Sequence, residues 1–361
     1  MSETSCRRWF ALILFAAVAC AIGCTGGNEE QVKRIIILTN GTSPFWDAAK
    51  IGAEDAAKDL EIEKAGLRVV VETNDFSDKG QIDKLRQYQG MTDVVGIGIS
   101  VTISENPNIA AEMRKLQKSG VHVITIDSDV DLAQDRDARF AYVGTDNVYA
   151  GRELGKAAAA LKPDGAKYST FVGLAGAANA KERISGFAAG AGAKFTAGEH
   201  LADGGDQQKA RQFVRDAIDR NADMDMLVGI WSYNAPAIVD TVKQLGRRAD
   251  FTIVCFDAEP VAIDHMDAGM IDALAVQNPY RMGYDGVRVL KALVEKDSGT
   301  IAEMRSAMNK GGGEDLLDTG LKIIIPDGDT PLAETAFGER TERLGLGAFK
   351  TWLESKGLTG S

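Results

Sequence analysis

The chain has 361 residues, 45% of them hydrophobic and 26% charged, the balance of a soluble globular protein long enough for two lobes with cores of their own. Acidic residues outnumber basic ones by 52 to 41, a formal net charge of −11, which argues against the basic stripe that a nucleic-acid surface needs.

The N-terminal stretch "CRRWFALILFAAVACAIGC" carries Arg7 and Arg8 ahead of an apolar run from Trp9 to Ile22. That run is too short to span a bilayer comfortably and has the layout of an export signal over residues 1–23. Its end, "AIGC", resembles the lipobox of bacterial lipoproteins and makes Cys24 the expected lipidation site. Residues 24–32 then form a polar tether. Cys6 and Cys20 would leave with the signal, so Cys255, inside the apolar "FTIVCF", stands alone as a buried small hydrophobe and no disulfide framework is expected.

After the tether, apolar runs of strand length alternate with helical patterns. The runs are "IIIL" (35–38), "LRVVVE" (67–72), "VVGIGI" (94–99), "VHVITI" (121–126), "YSTFVG" (168–173), "MLVGI" (226–230), "FTIVCF" (251–256), "DALAV" (272–276) and "LKIIIP" (321–326). Between them lie amphipathic stretches such as "NIAAEMRKLQKSG", stopped by Gly120, and "NAPAIVDTVKQLG", stopped by Gly246. Continuous apolar strands separated by such helices predict parallel sheets covered on both faces, a doubly wound α/β fold. So many strands predict two sheets. The break is expected near "YVGTDN" (142–147), where a short strand leads into a new helix.

In open parallel sheets, ligands bind beyond the carboxyl ends of the strands. The segments found there include "TNGTSPFW", "DSDVD", "LAGAANAKERISGF", "WSYNAP", "DAEP" and "QNPYRMG". They are rich in aromatics, carboxylates, amides and one arginine, and poor in nucleophile-and-base pairs. None of the three histidines follows a strand, and the metalloprotease, P-loop and nucleophile-elbow motifs are missing. "DSDVD" lacks the glycine and distal glutamate of a calcium loop. No enzyme, metal or cofactor is expected. A sugar ring, with hydroxyls at its edge and C–H patches on its faces, suits these residues better. Asp127, Arg183, Asn234, Asp257 and Gln277 supply hydrogen-bonding groups, and Phe45, Trp46 and Trp231 supply flat apolar area.

The motifs "SPFWDAAKIGAEDAAK", "VITIDSD", "YVGTDNVYAGRELG", "KERISGF", "WSYNAPAIV", "IVCFDAEP", "QNPYRMGYDGV" and "DTGLKIIIP" resemble those of the periplasmic sugar-binding proteins of bacterial ABC importers, the ribose-binding type I family. "YVGTDN", "SYNAP" and "VCFD" look most like members that take xylose or glucose. The resemblance implies two lobes joined by three chain crossings, near 144–147, 277–279 and 318–320. The first lobe would comprise 33–143 with 279–317, and the second 144–278 with 318–358. It also implies that Ser43 bonds a sugar hydroxyl, that Trp46 stacks on the ring beside Phe45, and that Asp127, Arg183, Asp257 and Gln277 are polar ligand contacts, with Asn234 at or beside another. Ser128 stands where the ribose binder has an arginine, and Gly204 and Gly205 where it has a stacking phenylalanine, which points away from ribose and gives Trp231 the lost aromatic role. The implied protein is a monomer that closes on a monosaccharide and delivers it to an ABC permease, held at the membrane only by its lipid. The alternative output of the same fold is a sensory protein reporting to a membrane receptor.

Overall fold

The computed structural model describes residues 31–308, 315–335 and 337–361. The expected export signal, the Cys24 lipidation site and most of the tether lie outside the described residues.

From residue 33 the chain forms β1 (Lys33–Thr39), α1 (Pro44–Asp59), β2 (Leu67–Thr73), α2 (Asp78–Gln89), β3 (Val94–Ile99), α3 (Pro107–Lys118), β4 (His122–Ile126) and β5 (Tyr142–Gly144). It continues with α4 (Asn147–Leu161), β6 (Lys167–Val172), α5 (Ala178–Ala191), β7 (Thr196–Ala202), α6 (Gln207–Arg220), β8 (Met226–Gly229), α7 (Asn234–Leu245), β9 (Thr252–Phe256), α8 (Pro260–Asp267) and β10 (Ala273–Val276). The last part holds α9 (Pro279–Glu295), α10 (Ser298–Met308), β11 (Leu316–Asp318), β12 (Leu321–Ile325), β13 (Thr341–Gly345) and α11 (Leu346–Ser355).

These strands make two sheets, ordered β11-β5-β4-β3-β1-β2 and β13-β12-β10-β9-β8-β6-β7. The first is parallel throughout, whereas β10 and β12 of the second run antiparallel. Each sheet has apolar clusters on both faces, which is why β1, β4, β8 and β9 read as unbroken apolar runs. The chain passes from one sheet to the other after β5, after β10 and after β11, so three crossings join the lobes.

Each lobe has one helix pair packed at backbone distance. A Cβ on Gly151 of α4 would lie 2.3 Å from the Arg183 carbonyl oxygen of α5, and one on Gly186 would lie 2.2 Å from that of Val148. In the other lobe, Cβ atoms on Gly52 of α1 and Gly283 of α9 would each lie 1.9 Å from a carbonyl oxygen of the facing helix, those of Tyr280 and Ala49. Any larger side chain would force these pairs apart.

Three strands escape the sequence reading: β7, β11 and β13. β7 ("TAGEHLA") and β13 ("TERLG") are sheet edges with no fully buried residue, so their side chains carry no apolar signal. β11 is three residues long. Among the described residues, no helix is long and apolar enough to cross a membrane.

Candidate binding site

The carboxyl ends of the two sheets face each other across a cavity lined by residues of both lobes. From the first lobe come Asn40, Ser43, Phe45, Trp46, Phe76 and Asp127. From the second come Asn179, Arg183, Trp231, Ser232, Tyr233, Asp257 and Gln277.

β1 delivers the first group. Ser43 occupies the N-cap of α1 but makes no side-chain capping bond, so its hydroxyl is available to the cavity. Pro44 then starts the helix with a preset φ, and Phe45 and Trp46 follow, 5% and 7% exposed. Their rings meet edge to face, 5.0 Å between centroids. The Trp46 indole N–H donates to Asn40 Oδ1 at 3.2 Å, which fixes the ring's orientation.

Asp127 follows β4 and Asp257 follows β9, with φ of 63° and 64°. That left-handed conformation costs a non-glycine residue of order 1–3 kcal/mol and is retained where surrounding contacts over-determine it. Neither residue caps a helix; the α8 N-cap is Glu259. Both carboxylates are buried, and the Arg183 guanidinium lies between them, with Nη2 3.8 Å from Asp127 Oδ1 and Nη1 3.7 Å from Asp257 Oδ2. These ion pairs are longer than hydrogen bonds. Arg183 is 1% exposed and is held in place by Nε donating to Asn147 Oδ1 and Nη1 donating to the Ile230 carbonyl, both at 3.0 Å. Its guanidinium also packs over the Phe256 ring.

Asp127 accepts from Ser100 Oγ at 3.1 Å and from Asn179 Nδ2 at 3.2 Å, and the Trp231 indole N–H donates to Asn179 Oδ1. Asp257 accepts from Gln277 Nε2 at 2.9 Å. Burial raises both carboxyls above the usual carboxylate range, against the pull of Arg183 and these hydrogen bonds, and Asp257 reaches about 7. Two buried polar atoms on cavity residues, Arg183 Nη2 and Gln277 Oε1, have no hydrogen-bond partner among the described residues. A polar atom left so costs about 1–3 kcal/mol, a debt that a bound polar ligand relieves.

Of the nine residues expected at the site, eight line the cavity. Asn234 does not. It starts α7 behind the wall, accepting from the Trp231 backbone N–H and donating to Asp203, which also accepts from Tyr233 Oη. Asn40, Phe76, Asn179, Ser232 and Tyr233 were missed. Four of them sit in strand-end segments already singled out, and Asn179 is four residues before Arg183, on the same helix face. Phe76 follows β2, whose carboxyl end is not among the segments quoted above. Among the described residues, no group of three or more His, Cys, Asp or Glu is placed to hold a metal ion.

The periplasmic binding protein domain matches residues 35–298. The chain belongs to that family. It is similar to the D-allose-binding periplasmic protein of Escherichia coli K12, 24% identical over 267 residues that cover 71% of this chain and 82% of that one. Among solved structures it resembles GanP, a glucose-galactose binding protein from Geobacillus stearothermophilus, with TM-score 0.69, 22% identity and coverage of 82% of this chain and 98% of that one. It also resembles a chain of the XylFII-LytSN complex, with TM-score 0.66, 25% identity and coverage of 73% and 94%.

Proposed function

We propose that this protein is an extracytoplasmic solute-binding protein that captures one monosaccharide, xylose-, glucose- or ribose-like, between its lobes and presents it to an ABC permease. The observation that carries this reading is the pair of buried atoms without a hydrogen-bond partner among the described residues, Arg183 Nη2 and Gln277 Oε1, in a cavity that combines two carboxylates with aromatic rings. Asp127, Arg183, Asp257, Gln277 and Ser43 bond ring hydroxyls, and Trp46, braced by Phe45, stacks on a sugar face with Trp231 on the opposite side. Because these groups come from both lobes, the ligand makes its full set of contacts only when the cleft is shut and so favours the closed state. Lipid on Cys24 and a short tether keep the monomer beside the membrane without spanning it. No turnover is part of this reading.

The likeness to a chain of the XylFII-LytSN complex favours a second output of the same site, a report to a partner protein that acts as the receptor. Pull-down of a permease or of a sensor ectodomain by the sugar-loaded protein separates the two outputs. The binding reading is tested by a thermal-shift screen against xylose, glucose, ribose, allose, galactose, arabinose and inositol. A ligand at about 100 times its Kd adds about 2.7 kcal/mol to folding stability, so the right sugar raises Tm clearly. A flat response to all seven rejects the monosaccharide assignment.

A further inference from the structure

Phe76 has an unusual position for a large apolar residue. It sits in the loop between β2 and α2 with φ 62°, in the left-handed region that bulky residues avoid. The contacts that hold the loop there include the Phe76 N–H donating to the Asn40 carbonyl at 3.0 Å, Asn74 Nδ2 to the Ser77 carbonyl at 2.8 Å, and the Ser77 hydroxyl to Asp75 Oδ1 at 2.6 Å. Two glycines make room for the ring, one in each lobe. A Cβ on Gly41 would lie 2.1 Å from Phe76 Cζ, and one on Gly205 would lie 2.8 Å from Phe76 Cδ2. The ring stacks on Trp231 of the second lobe, 6.3 Å between centroids and 30° between planes. It lines the cavity on one side. Beside Gly205, Gly204 is exposed, and a Cβ there would meet nothing within 4 Å. Phe76 itself is half-buried, so its ring borders the cavity and also reaches solvent.

The geometry points to Phe76 as the residue that limits the ligand to one sugar ring: reaching from the first lobe, it takes the space that a side chain at Gly205 would fill and closes that end of the cavity. The inference rests on the monosaccharide reading above. It differs from a second-lobe aromatic in its consequence. A ring carried by the opposite lobe is in place only when the lobes meet, so exclusion of longer ligands and closure are one event. With Phe76 stacked on it, Trp231 serves as much to receive this plug as to face the sugar.

The test compares the full chain with Phe76→Ala, Phe76→Leu and Phe76→Tyr. Calorimetry measures D-xylose, D-glucose, D-ribose and D-allose against xylobiose, maltose and cellobiose. A disaccharide can seat either of its rings, so at least one of its two orientations directs the second ring toward Phe76. The unsubstituted chain is expected to bind a monosaccharide and no disaccharide. Phe76→Ala should weaken the monosaccharide by about tenfold and bring a disaccharide into measurable range, through loss of the ring's contacts and opening of the channel. Phe76→Tyr should keep the exclusion. Should melting curves show that Phe76→Ala is unfolded, Phe76→Leu must show the same trend. A folded Ala or Leu variant that gains no disaccharide, or an unsubstituted chain that already binds one, overturns the inference while leaving the monosaccharide site intact. An unsubstituted chain that binds no monosaccharide rejects the underlying reading instead.

Discussion

Asp127 and Asp257 are near copies of each other in different lobes. Each follows a central strand of its sheet, each has φ close to 64°, each is buried, and each lies just under 4 Å from the same guanidinium. Their remaining partners differ. Asp127 takes one hydrogen bond from its own lobe, from Ser100, and one from across the cleft, from Asn179. Among the described residues, the Asp257 carboxylate accepts a hydrogen bond only within its own lobe, from Gln277. The first carboxylate is thus partly committed to holding the lobes together, and the second keeps more of its capacity for a ligand. On the proposed reading, equivalent positions in two lobes divide two tasks.

The sharpest way to break this comparison is to remove what the two share. Arg183→Met leaves both carboxylates buried without their cation, which should cost about 3–5 kcal/mol in urea unfolding and abolish sugar binding. An unfolding midpoint within experimental error of the unsubstituted chain would mean that the aspartates do not depend on Arg183. Next in size, Asp257→Ala and Trp46→Ala should each weaken sugar binding by ~1–3 kcal/mol while leaving the fold intact. Unchanged calorimetric affinity in both would reject the site.

A pH comparison sharpens the contrast further. Burial raises the Asp257 carboxyl in the folded state to about 7, from an ordinary value of 3.8. The folded chain therefore binds the proton more tightly than the unfolded one. The stability linked to that proton is fully present below the ordinary value and is lost as pH rises through about 7. Without sugar, Asp257→Asn should lose less stability than the unsubstituted chain between pH 5 and pH 8. Glu182, raised by burial to about 7 as well, is present in both chains and cancels in the difference. Parallel urea curves at the two pH values, with identical losses, would remove Asp257 as the source. The smallest effect is expected at Ser43. Its hydroxyl caps no backbone N–H, so Ser43→Ala should leave Tm unchanged and reduce affinity by about 0.5–1.5 kcal/mol. A drop in Tm with unchanged affinity would assign Ser43 to the helix instead of the ligand.

The strand-end rule made much of this site legible, because buried parallel strands declare themselves by apolar runs and the cleft lies at their carboxyl ends. Asp127, Trp231, Asp257 and Gln277 follow from it directly. It works less well where a side chain's task depends on what folds against it. Asn234 has the right chemistry for a sugar, yet its amide is committed to the Trp231 backbone and to Asp203. Asp203 follows β7, an edge strand with no apolar signature, so that competitor was invisible. Asn179 and Phe76 matter through contacts with the opposite lobe, and no local pattern encodes those. The left-handed conformation of the two aspartates was equally hidden, since the residue type gives no warning of it.

The two close-packed helix pairs suggest how the lobes act as machine parts. α4 begins directly after the first crossing and is locked by glycine contacts to α5, which carries Asn179 and Arg183. α9 begins directly after the second crossing and is locked in the same way to α1, which carries Phe45 and Trp46. Each joint is thus bolted to a stiff lever whose far arm holds binding groups. On the proposed closing motion, a few degrees of rotation at the crossings would swing whole sets of contacts together, so the cleft should engage a sugar as a clasp snaps shut, without each side chain having to find its place alone.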